Sequence, residues 1–230
     1  FGGTLLSSRD TLNGQPASVW VEQVVAELRS LPNVTLLPRA TVYGYLDHNF
    51  LTIAEKLSDH LPPGALAGPR ERLWRVRTKQ VVLATGAHER PLVFSNNDRP
   101  GVMLASAVSS YINRYAVRPG SRAVVFTNND SAYATALDLL EAGVALAAVV
   151  DARANPQGEP VQQLRARGVE VLANSVVVNV VGQQQVQAVE VRSLSADARS
   201  LAKGSTRRIA CDLVANSGGW SPVLHLSAQS

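Results

Sequence analysis

A single cysteine, Cys211, is the only thiol among the 230 residues of this sequence. One thiol excludes an internal disulfide framework, a cysteine-rich metal site and a CxxC redox pair. It agrees with a reducing, cytoplasmic location. The four histidines have no partner at the spacing of metal ligands, so we predict no metal site. The sequence also lacks any run of about 18 uninterrupted apolar residues, which excludes a membrane-spanning helix.

Lysine is scarce, with three residues against 19 arginines, although the formal net charge is +4. The isoelectric point of 9.6 raises the question of nucleic-acid binding. However, the arginines are spread along the chain, and the densest group, RERLWRVRTK (70–79), alternates like a strand with one solvated face. Nucleic-acid binding needs a focused basic patch, so we do not predict it. No G-x-S-x-G motif and no catalytic constellation is present.

The first half of the chain predicts a helix followed by a β-meander. Trp20, Val24 and Leu28 fall on one face of the helix. Five strand-like runs follow, at 34–37, 41–46, 50–56, 73–78 and 79–85. The segment 61–70 (LPPGALAGPR) indicates a hairpin loop or the edge of an insertion, because its prolines and glycines fit neither sheet nor helix. A second helix is predicted from Leu104 to Tyr115.

The second half alternates strand and helix. The elements are strand 122–127, helix 131–142, strand 144–150, helix 158–167 and strand 169–172. A βαβαβ order of this kind predicts a parallel sheet with right-handed crossovers. An antiparallel pair follows, SVVVNVVG with VQAVEVRSL, and RIACDLVAN (208–216) is read as a last strand. The whole chain is therefore predicted to be α/β, with two nucleotide-type lobes.

The turn at 127–131 (TNNDS) stands where a dinucleotide-binding βαβ unit has its phosphate loop, yet it contains no glycine. Two interpretations stay open. In the first, the turn is structural, and Asp130 or Ser131 accepts the free amides of the following helix. In the second, Asp151, which lies 21 residues after Asp130, binds a ribose hydroxyl as the acid of a dinucleotide site does. The missing glycines favour the structural interpretation.

The segment VVLATGAHERP (81–91) carries the sharpest local signal. An apolar strand that ends in Ala84, Thr85 and Gly86 lets the backbone approach a bound nucleotide closely, where a Cβ would clash. The following Glu89 is interpreted as part of a solvated or interface loop. Two other groups are assigned to packing: Cys211 to the core, and the three tryptophans, Trp20, Trp74 and Trp220, to the core or the contact between lobes.

Three longer stretches carry a family resemblance: ATGAHERPLVFSNNDRPGVMLASAVSSYINRY, VVFTNNDSAYATALDLLEAG and SGGWSPVLHL. The sequence resembles the alpha subunit of heterotetrameric sarcosine oxidase over nearly its whole length. The resemblance implies an α/β fold with two dinucleotide-binding-type (Rossmann-like) lobes and a β-meander, like a disulfide oxidoreductase without the disulfide. It also implies a fragment whose first lobe is truncated. Residues 1–97 would form the first lobe and meander, 98–212 the second lobe, and 213–230 a return to the first.

The same resemblance implies a function. The chain would be a nucleotide-binding and scaffolding region of an enzyme that demethylates sarcosine oxidatively to glycine. The chemistry would occur in a flavin-bearing beta subunit, and the fragment alone would be inactive. NAD would be a structural cofactor in the first lobe, while FAD, FMN and tetrahydrofolate would lie outside this chain. The partners would be the beta subunit together with the smaller subunits of the heterotetramer, with no nucleic acid and no membrane.

The residues expected to contact NAD come from three places. Thr4 follows Gly2 and Gly3 in FGGTLL, which is similar to the family segment after the acidic end of the second strand. The other contacts are expected at a strand end of the meander and at the ATG turn: Val42, Tyr43, Ala84, Thr85 and Gly86. Two alternatives stay open, an alpha-type subunit of a proline or opine dehydrogenase complex and a stand-alone NADH-dependent flavoprotein reductase. The sequence does not decide between NAD, FAD and ATP in the lobe.

Overall fold

A computed structural model describes residues 1–62 and 68–229, which form two compact units. The first unit comprises Phe1 and the described parts of 19–88 and 222–230, and the second comprises 2–18 and 89–221. No helix within these described residues is long and apolar enough to cross a bilayer. The middle of the predicted loop 61–70, residues 63–67, lies outside the described part of the chain.

Four α-helices and fifteen short strands are present in the described residues. The helices are α1 (Ala17–Ser30), α2 (Ala105–Tyr115), α3 (Ser131–Glu141) and α4 (Glu159–Ala166), and a 3-10 helix covers Gly3–Leu6. The strands are β1 (Thr11–Leu12), β2 (Gln15–Pro16), β3 (Ala40–Leu46), β4 (Phe50–Lys56), β5 (Glu71–Arg77), β6 (Ala87–Glu89), β7 (Val102–Leu104), β8 (Arg122–Thr127), β9 (Ala145–Asp151), β10 (Val171–Leu172), β11 (Ser175–Val181), β12 (Ala188–Ser193), β13 (Arg207–Ala210), β14 (Leu213–Ser217) and β15 (Trp220–Pro222).

The second unit is built on a five-stranded parallel sheet with the order β10-β9-β8-β14-β7. This arrangement confirms the predicted βαβαβ run, and the helices and strands start and end close to the predicted residues. Alternate residues of β8 face opposite sides of the sheet, because side chains along a strand alternate. Ala123 and Val125 pack with the buried side chains of α2 and α3. Val124 and Phe126 pack with β11 and β12 instead.

The antiparallel sheet β11-β12-β13 covers the other face, and its first two strands confirm the predicted hairpin. The single strand predicted at 208–216 is wrong, because the segment divides into β13 and β14, which belong to different sheets. Asp212 lies at the division, and its carboxylate accepts hydrogen bonds from the backbone N–H groups of Ser121 and Arg122. Burial of Asp212 opposes its ionisation, but these hydrogen bonds outweigh it and lower the pKa of the carboxyl.

The first unit contains the predicted meander, the antiparallel sheet β3-β4-β5. The helix α1 is confirmed, and Val21 on its apolar face is buried. The strands predicted at 34–37 and 79–85 are wrong, since neither segment is a strand in the structure. A strand requires a neighbour for its backbone hydrogen bonds, and the described residues provide none for these two segments. Val82, in the second segment, is 90% exposed.

The boundaries between the two units differ from those predicted, which lay between residues 97 and 98 and between residues 212 and 213. Residues 2–18 and 89–97 belong to the second unit. The strand β14, placed by the sequence in a return segment, lies between β8 and β7 in the parallel sheet. All five of its residues are buried, which explains why it belongs to the core of this unit.

A substitution at Gly101 tests how tightly the loop before β7 packs in the second unit. Its φ is +102°, and a Cβ there would lie 2.7 Å from the carbonyl oxygen of Asp212 and 3.1 Å from Cγ2 of Val186. Gly101→Ala should therefore lower the free energy of unfolding by roughly 2–4 kcal/mol, from strain and overpacking together. Gly168→Ala is the control, because Gly168 has a φ of +76° but no atom within 4 Å of the added Cβ. It should cost about 1 kcal/mol.

Urea denaturation followed by circular dichroism measures both variants. Equal losses for the two alanines would show that the close approach to Asp212 and Val186 has no energetic consequence.

Candidate functional site

The Gly2-Gly3-Thr4 segment lies in the second unit, at the start of the 3-10 helix. Gly2 and Gly3 have φ values of 107° and 53°. Two consecutive residues with positive φ favour glycine, because a Cβ is disfavoured in this region. The turn is closed by hydrogen bonds from the Leu5 amide to the Gly2 carbonyl oxygen and from the Ser7 amide to that of Thr4. The glycines therefore shape the turn that presents Thr4.

Val42 and Tyr43 lie in the first unit, inside β3 rather than at its end as expected. The pairing of β3 with β4 shifts register between Val42 and Gly44, so that Tyr43 is the extra residue of a β-bulge. Gly44 is needed there, because a Cβ would lie 2.5 Å from Oγ1 of Thr52. The bulge leaves Tyr43 53% exposed. Its ring is thus available for contact, although the strand continues to Leu46.

Ala84, Thr85 and Gly86 also lie in the first unit, but outside any strand. The hydroxyl of Thr85 donates to the carbonyl oxygen of Val223 at 2.9 Å, and the Val223 amide donates to the carbonyl oxygen of Gly86 at 3.0 Å. Gly86 has a φ of +72°, with nothing within 4 Å of a would-be Cβ. The ATG segment is therefore a turn bound to the last segment of the chain, and Gly86 is required by its conformation.

The glycine-free turn at 127–131 is held by its own side chains. The hydroxyl of Thr127 accepts a hydrogen bond from the Asn129 amide at 3.0 Å, and Oδ1 of Asn129 accepts one from the Ser131 amide at 3.1 Å. The predicted caps are wrong, because Asp130 makes no side-chain capping bond, and the hydroxyl of Ser131 donates to Asn129 instead. Asn129 takes over the cap since its short amide reaches the first helical N–H.

The carboxylate of Asp130 forms an ion pair with Arg153, whose Nη1 lies 2.7 Å from Oδ1 of Asp130. The same guanidinium binds Asp151, the residue proposed as a ribose ligand, with Nη2 2.8 Å from Oδ2. Oδ2 of Asp151 also accepts from the hydroxyl of Tyr133 at 2.7 Å, and its Oδ1 accepts from the Arg153 amide. Asp151 is completely buried. Its oxygens therefore bond within the unit.

This cluster shifts the ionisation of both partners of Asp151. Burial, and next the hydrogen bond to Asp151, raise the pKa of the Tyr133 hydroxyl above its usual range. The hydrogen bond to Asp151 raises the pKa of the Arg153 guanidinium, although burial opposes the change. Arg153 therefore stays a cation and Tyr133 a neutral donor. The carboxyl ends of β8 and β9, where dinucleotides bind in such folds, are closed by an internal ion pair.

A cleft of about 340 Å³ opens elsewhere in the second unit, along α3 between α2 and the segment that follows Thr4. Its lining combines hydroxyls, carboxylates and one indole, and includes Thr4, Glu89, Ser106, Asp138 and Trp220. Oε2 of Glu89 accepts a hydrogen bond from the Ser106 amide at 2.8 Å, and thus caps the first turn of α2. The hydroxyl of Ser109 donates to Oδ2 of Asp138 at 2.8 Å, which ties α2 to α3.

Sequence reasoning missed two members of this cleft. Glu89, interpreted as part of a solvated loop, lies in β6 and caps a helix that begins 16 residues later. Trp220, assigned to packing, is 38% exposed, and its indole N–H donates to the hydroxyl of Ser131 at 3.0 Å. Neither contact is local, so no spacing in the sequence signals it. By contrast, Cys211 is buried as predicted, and burial raises the pKa of its thiol to about 12.

No group of three or more histidine, cysteine, aspartate or glutamate side chains able to hold a metal ion occurs in residues 1–62 and 68–229. His48 has a φ of 61° and lies in the turn between β3 and β4.

The Arg153 cluster generates a stability prediction. Arg153→Met leaves the carboxylate of Asp151, which is 0% exposed, without its cation, and an uncompensated buried charge should cost about 3 kcal/mol. Arg207→Met is the matched control. It breaks the Arg207–Glu170 pair, whose side chains are 51% and 46% exposed, and such a pair contributes less than about 1 kcal/mol.

Chemical denaturation of both variants measures the difference. Adding Asp151→Asn to Arg153→Met removes the buried charge and should restore part of the lost stability. A loss in Arg153→Met no larger than that in Arg207→Met would contradict this assignment.

Known proteins resemble the chain in sequence over almost its full length. It is 44% identical to the sarcosine oxidase alpha subunit of Corynebacterium sp. (strain P-1) over 232 residues, covering 99% of this chain and 24% of that protein. The corresponding subunit of Rhizobium meliloti (strain 1021) is 40% identical, covering 98% and 22%. An opine oxidase subunit of Agrobacterium tumefaciens (strain Ach5) is 32% identical over 60% of this chain and 26% of its own length. No protein-family model matches the chain.

Solved structures share the fold at low sequence identity. Thioredoxin reductase of T. acidophilum matches with a TM-score of 0.68 at 15% identity, covering 99% of this chain and 69% of that one. L-proline dehydrogenase of P. horikoshii matches with a TM-score of 0.63 at 20% identity, covering 97% and 36%. These matches confirm the predicted fold class. The resemblance to the sarcosine oxidase alpha subunit is confirmed over nearly the whole chain, which spans about 24% of the length of the first such relative.

Proposed function

We propose that this chain is a nucleotide-binding and scaffolding region of the alpha subunit of a multisubunit sarcosine oxidase. The observation that carries the proposal is the 44% identity to a sarcosine oxidase alpha subunit over 99% of the chain. The reaction is the oxidative demethylation of sarcosine to glycine. Its chemistry belongs to a flavin-bearing beta subunit, which, with the smaller subunits of the heterotetramer, is the proposed partner. This chain supplies structure and nucleotide binding.

The nucleotide we propose is NAD, held as a structural cofactor by the residues that the sequence singled out. The local geometry supports this assignment in each unit separately. The hydroxyl of Thr4 lines the cleft of the second unit and has no hydrogen-bond partner among the described residues. In the first unit, Tyr43 is 53% exposed, and Gly86 has open space on the side of its missing Cβ. Ala84, next to this turn, is also exposed.

The chain's own residues bind and orient in this proposal, and carry no redox step. NAD supplies a pyridinium ring, two riboses and a pyrophosphate as groups that the chain can hold. Thr4 offers a hydroxyl to a ribose or phosphate oxygen, and Gly2 and Gly3 set the turn that presents it. Val42 and Tyr43 would border the base, and the backbone at Ala84, Thr85 and Gly86 would lie close to the nucleotide. The Arg153 cluster supports a site outside the carboxyl ends of β8 and β9, since their acid is already paired.

A second candidate is the alpha-type subunit of a related opine or proline dehydrogenase complex. The observation in its favour is the 32% identity to the opine oxidase subunit over 60% of the chain. The greater identity and coverage of the sarcosine oxidase subunits favour the first candidate. Turnover of the complete complex with sarcosine, proline and an opine as competing substrates tests the choice.

Thr4→Val in the full-length subunit tests the NAD assignment. Valine keeps the shape of threonine but removes the hydroxyl, and losing one hydrogen bond costs about 0.5–1.5 kcal/mol. The dissociation constant of NAD should rise roughly threefold to tenfold, as measured by calorimetric titration. Sarcosine turnover should stay nearly constant, because this nucleotide is not proposed to carry the hydride.

The matched control is Thr11→Val, which removes an exposed threonine hydroxyl in β1 of the same unit. Unchanged NAD affinity in Thr4→Val would remove Thr4 from the site. A collapse of turnover with NAD still bound would contradict the structural role of the cofactor.

The purified 230-residue chain should produce no hydrogen peroxide from sarcosine. The proposal assigns flavin chemistry to the beta subunit, and the one thiol of the chain, Cys211, is buried with a raised pKa. A peroxide assay with added flavin, compared with a blank of flavin alone, measures this. Peroxide formation above that blank would place redox chemistry in this chain.

A further inference from the structure

The C-terminal end of α2 exposes three large side chains to solvent. Tyr111, Tyr115 and Val117 are 45%, 59% and 46% exposed. The two tyrosine rings lie against each other, with their centroids 6.3 Å apart and their planes tilted by 60°. The Val117 amide donates to the carbonyl oxygen of Tyr111 at 2.9 Å, which closes the helix end and returns the chain toward that tyrosine. The helix therefore ends in a continuous aromatic and apolar surface.

The same helix end carries two exposed arginines that have no carboxylate partner. The guanidinium of Arg114 lies over the ring of Tyr115, with its central carbon 5.4 Å from the ring centroid. The side chain of Arg118 makes no hydrogen bond, ion pair or ring contact within residues 1–62 and 68–229. No acidic residue occurs in α2, so the helix itself does not neutralise these cations. We call this surface, Tyr111, Arg114, Tyr115, Val117 and Arg118, the α2 patch.

A depression of about 330 Å³ opens beside the α2 patch. Its lining is apolar apart from two arginines and consists of Arg9, Ile112, Ala116, Val117, Arg118 and Ala142. Arg9 already pairs with Asp138 and Glu141, whereas Arg118 is unpaired. The depression therefore offers one free guanidinium among apolar groups, a setting in which a hydrogen-bonded carboxylate is held more strongly than in open water.

We propose that the α2 patch binds an acidic segment of another subunit of the complex. One carboxylate of that segment enters the depression and pairs with Arg118, while its apolar side chains cover Tyr111 and Tyr115. Tyrosine and arginine are the residues enriched where protein interfaces carry most of their binding energy. The charge is complementary as well, because the patch holds only cations and the whole chain has a net charge of +4. The inference rests on the proposed function in taking the partner from the same complex.

Two other occupants account for fewer features of the α2 patch. A small free anion would pair with Arg118 but would leave the two tyrosines and Val117 in water. A symmetric contact between two copies of this chain presents the same surface from both sides. It would set the arginines of one copy against those of the other, and like charges that face each other across an interface are unfavourable. An acidic segment satisfies both the cations and the apolar surface.

Zero-length cross-linking of the complete complex identifies the occupant. Arg118→Lys in the full-length subunit keeps the positive charge and supplies an amine that a carbodiimide couples to a carboxylate in direct contact. The chain has only three lysines of its own, so few other amines compete within it. Mass spectrometry of the cross-linked peptides should join position 118 to an aspartate or glutamate of another subunit. Arg165→Lys is the control, since Arg165 is an exposed arginine in the last turn of α4 and should give no such link.

Charge reversal measures how much the contact contributes to assembly. Arg118→Glu sets a carboxylate against the carboxylate of the partner, and the dissociation constant of the complex should rise at least about thirtyfold. Tyr115→Ala keeps both arginines and should raise it about tenfold or more, through the apolar half of the contact. Arg165→Glu should change it less than about threefold. Native mass spectrometry of diluted complex gives these constants, and circular dichroism verifies that each variant subunit is folded.

The absence of a link from position 118, or links only to carboxylates of the same subunit or of a second copy of it, would overturn the inference. A complex as tight with Arg118→Glu as with the wild-type subunit would overturn it as well. Sarcosine turnover by the complete wild-type complex tests the proposed function separately. A complex that oxidises sarcosine but gives no link to another subunit keeps that function and loses the α2 patch as a docking surface. A link to another subunit in a complex that does not oxidise sarcosine gives the converse result.

Discussion

The hydrogen bonds of Asp212 hold the second unit together at the point where the chain passes between its two sheets. The carboxylate receives the amides of Ser121 and Arg122 at the start of β8, and the Asp212 amide returns a bond to the Arg122 carbonyl oxygen. These bonds fix β14 beside β8 in the parallel sheet. The position of Asp212 also explains why residues 120 and 101 are glycines, since a Cβ at Gly120 or Gly101 would lie within 2.8 Å of an Asp212 oxygen.

The central place of β14 determines where a ligand can approach this unit. With β14 between β8 and β7, both faces of the sheet are covered, one by α2 and α3 and the other by β11 and β12. The carboxyl ends of β8 and β9 remain, and there Arg153 bonds both Asp151 and Asp130. A polar cleft lies along α3, away from these strand ends. In this unit the turn at 127–131 works as the anchor of Trp220, through Asn129 and Ser131.

Local patterns in the sequence predicted most of the second unit and failed where pairing is not local. The βαβαβ elements could be predicted because apolar runs alternate with amphipathic helices. Gly143 and Gly168, both with positive φ, follow the two helices shortly after their last residues. The strands at 34–37 and 79–85 were wrong, since apolar character alone does not supply a neighbouring strand. The segment 208–216 was predicted as one strand because apolar residues stand on both sides of Asp212, and their pattern does not reveal that the chain changes sheet there. The residues assigned to NAD, from Gly2 to Gly86, remain predictions.

The contacts that define the cleft belong to the same non-local class. Glu89 and Ser106 are 17 residues apart, and Trp220 and Ser131 are 89 residues apart. An isolated glutamate after a glycine turn, or a tryptophan near the end of a chain, has no spacing that distinguishes a ligand contact from a packing contact. What distinguishes them is satisfaction of hydrogen bonds. Asp151 has all of its partners inside the fold and functions as structure, whereas Glu89 has one oxygen fixed and one left over, which makes it the better candidate for a ligand.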